Sequence, residues 1–190
     1  MKKFNNKHEG FTLIELLVAL GILTILALLG LTAFDGSRSK AQALISFEKQ
    51  MGDANIMLKN DTGCYVKTPK ALIDFTEGPA AANNFCNKDF GSSWTQPYMA
   101  KFPVDTNGDA KTDKIAAGSI VGIGVEAGGT GNSGGKLYFI KATGLPADVV
   151  KQALNECNGS NADQAAFSTA AKCRGIADTG TFDMAFDETR

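Results

Sequence analysis

The stretch that most limits what this chain can fold into is residues 11–34, FTLIELLVALGILTILALLGLTAF. Apart from Glu15 and the threonines at 12, 24 and 32 it is apolar, with Gly21 and Gly30 inside. A run of this length matches the ~20 residues that a bilayer-spanning helix needs. Lys2, Lys3 and Lys7 precede it, the arrangement expected where the N-terminal side stays cytoplasmic. Residues beyond 34 would then face the periplasm or the outer surface. Glu15 breaks the pattern. A carboxylate at the centre of a membrane helix costs about 2.5–3.5 kcal/mol on insertion scales, so it marks a function and calls for a partner. An ordinary secretory signal shares the lysines and the apolar run but has no use for that charge. Leu31-Thr32-Ala33 would offer such a signal only a passable exit.

The hexapeptide Gly10-Phe11-Thr12-Leu13-Ile14-Glu15 resembles the processing signature of type IV pilins and of the pseudopilins of type II secretion. The resemblance covers about the first 35 residues. It implies that a prepilin peptidase cuts between Gly10 and Phe11 and methylates Phe11. It also implies that Glu15 pairs with the N-terminal amine of a neighbouring subunit in a helical filament. Residues 1–10 are then a cleaved leader, 11–34 a transmembrane and filament-core helix, and 35–190 a periplasmic or extracellular head. The implied fold class is α+β, a long N-terminal helix packed on a small antiparallel sheet with a disulfide-bonded C-terminal region. The implied partners are other copies of the chain, the peptidase and the inner-membrane assembly machinery. The protein would sit in the inner membrane before assembly. Afterwards it would form an external pilus serving adhesion, twitching motility or DNA uptake, or alternatively a periplasmic pseudopilus. Many pilins carry a proline and a glycine in the apolar half of the helix. Here Thr24 and Thr32 stand in the corresponding places.

Composition argues against an enzyme. The one histidine, His8, leaves with residues 1–10, so no Ser-His or Cys-His nucleophile can be assembled. Three lysines and one glutamate leave with the same segment, so the net charge of −1 becomes −3. That balance argues against general binding to a nucleic-acid backbone. A membrane-anchored binding module that uses the helix only as a tether is the reading from another class.

Beyond residue 34 the helix is expected to continue. Ala41, Leu44, Phe47, Met51, Ala54 and Leu58 recur every three or four residues and form one apolar stripe. Arg38, Lys40, Glu48, Lys49 and Asp53 are read as the polar positions around it, and Asp61-Thr62-Gly63 as the stop. A helix from residue 11 to about residue 60 would be roughly 75 Å long.

Cys64, Cys86, Cys157 and Cys173 all follow the apolar run, and an even count in an exported domain reads as two disulfides. Of the three pairings, joining sequence neighbours is simplest: Cys64 with Cys86 and Cys157 with Cys173. No CxxC spacing accompanies them, so zinc is not expected. Residues 64–93 read as a connecting loop with one short helix. The segment Trp94-Thr95-Gln96-Pro97-Tyr98 loosely resembles one at the entry to the sheet of several pilin-like proteins, and predicts an aromatic staple under the sheet. A carbohydrate platform is the alternative.

Asp105, Asn107, Asp109 and Asp113 place oxygen side chains at nearly alternate positions, with Lys111 able to add a backbone carbonyl. Such a spacing can converge on a hard cation, and calcium is the one ion this chain would take; no cofactor is otherwise required. The loop departs from an EF-hand at Ala110 and Ala116, and a solvated Asn-Gly turn is the competing reading.

Residues 119–125 and 136–141 read as strands joined by a glycine-rich hairpin loop. That loop is no phosphate cradle, because Leu137 follows Gly135-Lys136 where a P-loop needs Ser or Thr. Residues 145–157 read as a helix stopped by Asn158-Gly159, residues 162–172 as a second short helix, and residues 181–186 as a closing strand.

Overall fold

In a computed structural model of the chain, the residues described are 14–15, 17–20, 22, 36–113, 115–116, 118–128 and 135–189. The chain divides into two units, residues 1–36 and 37–190, each described by itself.

The second unit is built on helix α1, Gly36–Thr62. The expected stripe is its inner face: Ala41, Leu44, Met51 and Leu58 are completely buried, Ala54 nearly so, and Phe47 packs at the margin. Arg38, Lys40, Lys49 and Asp53 are exposed as their polarity demands. Glu48 is the correction. It sits on the inner face and is fully buried. Gly52, one turn on, lets the helix touch the sheet, since a Cβ there would lie 2.7 Å from Phe186. Asn55 is also buried, but its amide substitutes for a strand neighbour. Its Oδ1 accepts the N–H of Val66 at 3.0 Å and its Nδ2 donates to the Val66 carbonyl at 3.4 Å. The helix ends at Gly63, whose φ of +82° and N–H bond to the Lys59 carbonyl make a left-handed stop.

Between helix and sheet the chain makes three 3₁₀ turns, Pro69–Leu72, Ala81–Asn83 and Gly91–Ser93, rather than one short helix. Backbone groups that a helix would satisfy internally are met here by side chains. Buried Asn84 alone donates to the carbonyls of Ala80 and Lys88 and accepts the N–H groups of Cys86 and Lys88. The Cys64–Cys86 disulfide closes this segment.

Five strands form one antiparallel sheet: β1 (Ala110–Thr112), β2 (Ser119–Ala127), β3 (Lys136–Thr143), β4 (Cys173–Ile176) and β5 (Thr181–Thr189). Their spatial order is β1-β2-β3-β5-β4, so the last strand inserts between β3 and β4. The β2–β3 hairpin pairs Ile123 with Ile140, and Gly128 donates to the Gly135 carbonyl where its loop begins. Both predicted strands are present and run two residues longer than expected. Val121, Ile123, Ile140, Ala142 and Phe182 share one apolar core with the inner face of α1.

Helix α2, Ala147–Asn158, begins after an extended Pro146 and stops at Gly159, whose φ is +74°. It buries Val149, Val150, Ala153 and Leu154 completely. The second helix expected over 162–172 does not form. Gln164 instead exchanges both backbone bonds with Gly175 of β4, Asp163 accepts the Ala177 N–H, and Ser168 closes a turn with Ala171. Those three attachments hold the segment extended. The Cys157–Cys173 disulfide joins the end of α2 to the start of β4, and Asn158 bonds both backbone groups of Cys173.

Candidate processing and assembly site

In the first unit, Gly10 and Phe11 lie outside the described residues, as does most of the 11–34 run. The described part, Ile14, Glu15, Leu17, Val18, Ala19, Leu20 and Ile22, is helical. Ile14, Val18 and Ile22 follow one another at four-residue spacing, so they stack on one side of the helix. With Glu15 and Ala19 they line a shallow groove of about 310 Å³. These apolar side chains are far from covered: Ile14 is 71% exposed, Leu17 62% and Ile22 54%. A helix that shows so many isoleucines and leucines to water is incomplete as a lone soluble element and needs lipid or other helices around it. Glu15 is exposed beside that face. Its carboxylate is therefore presented beside an apolar surface. Among the described residues no helix is long and apolar enough to cross a membrane.

In the second unit the residues expected to form disulfides are paired as sequence neighbours, Cys64–Cys86 and Cys157–Cys173, with no free cysteine. The 105–113 segment is a tight turn leading into β1. Asp105 Oδ1 accepts the N–H groups of Asn107 and Asp109 at 2.8 and 2.9 Å, and Gly108 turns with a φ of +84°. The Asp109 N–H and carbonyl are thus both taken, the latter by the Asp105 N–H. Burial raises the pKa of the Asp109 carboxyl, with Lys141 opposing and Asp105 adding to the rise. Asn107, Lys111 and Asp113 are exposed, and Asp113 lines a separate groove with Lys111 and Phe102. Among the described residues no group of three or more His, Cys, Asp or Glu side chains is gathered to hold a metal ion.

Trp94 is 1% exposed, so its ring is a staple rather than a platform. It belongs to the core cluster that includes the sheet residues Val121, Ile123 and Ile140, and it holds the connecting segment there. Phe75 and Tyr98 meet it edge-on at 5.3 and 5.9 Å, and a Cβ on Gly78 would lie 2.3 Å from the indole. Tyr98 in turn donates to Asp61 at 2.7 Å; burial, with that bond adding to it, pushes the phenol pKa up to about 12.

Two charged arrangements were not visible in the sequence. Arg174 on β4 bonds Glu126 and Asp183 at 2.7 Å each and lies over the rings of Phe139 and Phe167, which meet each other. Burial pulls the Arg174 pKa down, but its two carboxylate bonds outweigh that and leave it raised. It clamps the 160s loop to the sheet, which is why Phe167 stays in place without a helix. The other is Glu48, buried and without a hydrogen-bonding partner for either oxygen among the described residues. Only a cross-strand pairing of 174 with 183, or a helical wheel read together with the sheet, could have signalled them.

No curated protein and no solved structure matches the chain. A family model does match, over residues 5–31, and its description is the prokaryotic N-terminal methylation motif. The matched span contains Gly10, Phe11 and Glu15 together with the exposed apolar helix face. The chain therefore carries the prepilin signature that type IV pilins and pseudopilins share.

Proposed function

We propose that this protein is a structural subunit of a type IV pilus-like filament, cut and methylated at its N-terminus and polymerised through its apolar helix. The observation that carries the reading is the methylation motif over residues 5–31. The architecture of the head, a long helix with a five-stranded antiparallel sheet and two disulfides, is consistent with it. The proposed partners are a prepilin peptidase acting between Gly10 and Phe11, the inner-membrane assembly machinery, and other copies of this chain. The precursor would be held in the inner membrane and the product would be an external fibre. The motif is shared with pseudopilins, so a short periplasmic filament is the second reading.

Assembly then has a simple physical basis. In a bundle of apolar helices an ionised Glu15 is penalised by several kcal/mol unless an amine meets it, and the N-terminal amine released at Phe11 supplies one. A subunit would advance until the two charges pair, which sets its register. N-terminal sequencing of the mature protein tests the class: a start at methylated Phe11 is expected, and an intact Met1 or a start near Asp35 overturns it. Glu15→Ala is expected to be exported and processed normally yet to yield few filaments, so abundant filaments in that variant would remove the role of Glu15. Electron microscopy of sheared surface fractions separates the two filament types, since only a pilin dominates long external fibres.

A further inference from the structure

Glu48 lies on the inner face of α1, four residues from Leu44 and Gly52 and three from Met51, all buried. Its own exposure is 0%, and both carboxylate oxygens are buried without a hydrogen-bond partner among the described residues. An ionised carboxylate so placed would lack water, a donor and a counter-ion. That is far more costly than a neutral acid in the same space. Among the described residues no cation meets it: Lys40 and Lys49 of α1 are exposed, and the others on the surrounding elements are engaged elsewhere. On α1 itself, Arg38 pairs with Glu156 of α2, and Lys59 pairs with Asp187 of β5. On β4, Arg174 is taken by Asp183 and Glu126. On β3, Lys141 is exposed and acts on Asp109 and Asp183. The charge that does reach Glu48 is Asp183 of β5, which carries the same sign.

We propose that the folded head carries Glu48 as the neutral acid, and that ionisation of this one side chain is a pH-sensitive release on the packing of α1 against the sheet. The direction of its pKa agrees: burial first, and then Asp183, hold it well above the ordinary glutamate value of 4.5. The sign of the effect follows. Between the unfolded value and the higher folded one, the native state holds a proton that the unfolded chain has lost. The stability that Glu48 contributes is therefore complete in acid and falls as the pH climbs, by about tenfold in the folding constant per pH unit across that window. Above the folded value the charge is forced into the core, and the helix face must open to hydrate it. The device is independent of filament formation, because it lies wholly within the head.

The test uses the full-length chain in detergent micelles, unfolded in urea from pH 4 to pH 9 with both disulfides intact. Trp94, the single tryptophan and buried in the head, reports unfolding by its fluorescence. Glu48→Gln keeps the shape without the acid. The wild type and the variant are expected to differ by a constant amount near pH 4, with the wild type losing about tenfold per pH unit relative to the variant above it. Parallel pH profiles overturn the proposal. Infrared spectra of the native protein follow the acid directly. A protonated carboxyl band that persists above the ordinary glutamate value in the wild type and is missing from Glu48→Gln, or from Glu48→Leu should the first variant fail to fold, supports the proposal; a native wild type without such a band overturns it.

Discussion

Glu48 and Asn55 show how differently two polar residues on one helix face can be accommodated. Both are fully buried on α1, yet Asn55 is satisfied by the two backbone groups of Val66, while Glu48 has to remain neutral. Removing the amide in Asn55→Ala strands the N–H of Val66 inside the core, and a loss of about 1–3 kcal/mol in urea unfolding is expected. Asp105 is the corresponding residue of the turn before β1. Its Oδ1 accepts two backbone N–H groups, the habit that makes aspartate a turn residue. Asp105→Ala is expected to lower stability by about 1 kcal/mol. The loss should be the same in calcium and in chelator, measured by thermal unfolding in each. A stabilisation by calcium that disappears in Asp105→Ala would instead support the cation reading of the loop. None of this was visible from spacing alone. Alternating oxygens describe a cation loop and an Asx turn equally well, and the Asx turn bonds of Asp105 appear only in the tertiary structure.

At the scale of elements, the two helices were legible because each repeats its apolar residues at helical spacing and each is stopped by a glycine, Gly63 or Gly159. Strands β2 and β3 were legible as apolar runs on either side of a glycine-rich loop. Strand β4 was not. Cys-Arg-Gly-Ile has no alternation to recognise, and it is a strand because β5 pairs with it through Arg174–Asp183 and Gly175–Phe182. The same pairing explains why residues 162–172 are not helical, since Gln164 finds its backbone partners on Gly175. The Cys157–Cys173 bridge is the covalent counterpart of these contacts. Replacing both cysteines by alanine removes closure of a short loop, worth about 3 kcal/mol in the chain-entropy model. The expected result is a lower urea midpoint for Trp94 fluorescence and freer proteolysis of the 160s loop, with the β2–β3 hairpin retaining its slow amide exchange.

Over the whole molecule, the two edges of the sheet are both blunted. Strand β1 has only three residues and its neighbour Val104 bridges back to Ala110, while the outer side of β4 is occupied by Gln164. Short, covered edges discourage growth by strand addition. Subunits with such a head would have to join by other surfaces, which agrees with the proposed role of the apolar N-terminal helix. The parts that the sequence determined by itself are those whose physics is local or covalent. The methylation motif is a short local string, the α1 stripe is a periodicity, and the disulfides join nearest neighbours in the chain. The tertiary structure alone decided the placement of β5 between β3 and β4, the clamp of Arg174 by Glu126 and Asp183, and the burial of Glu48. Each depends on which distant residues share a space, and a carboxylate reads as a surface residue until the sheet that covers it is in place.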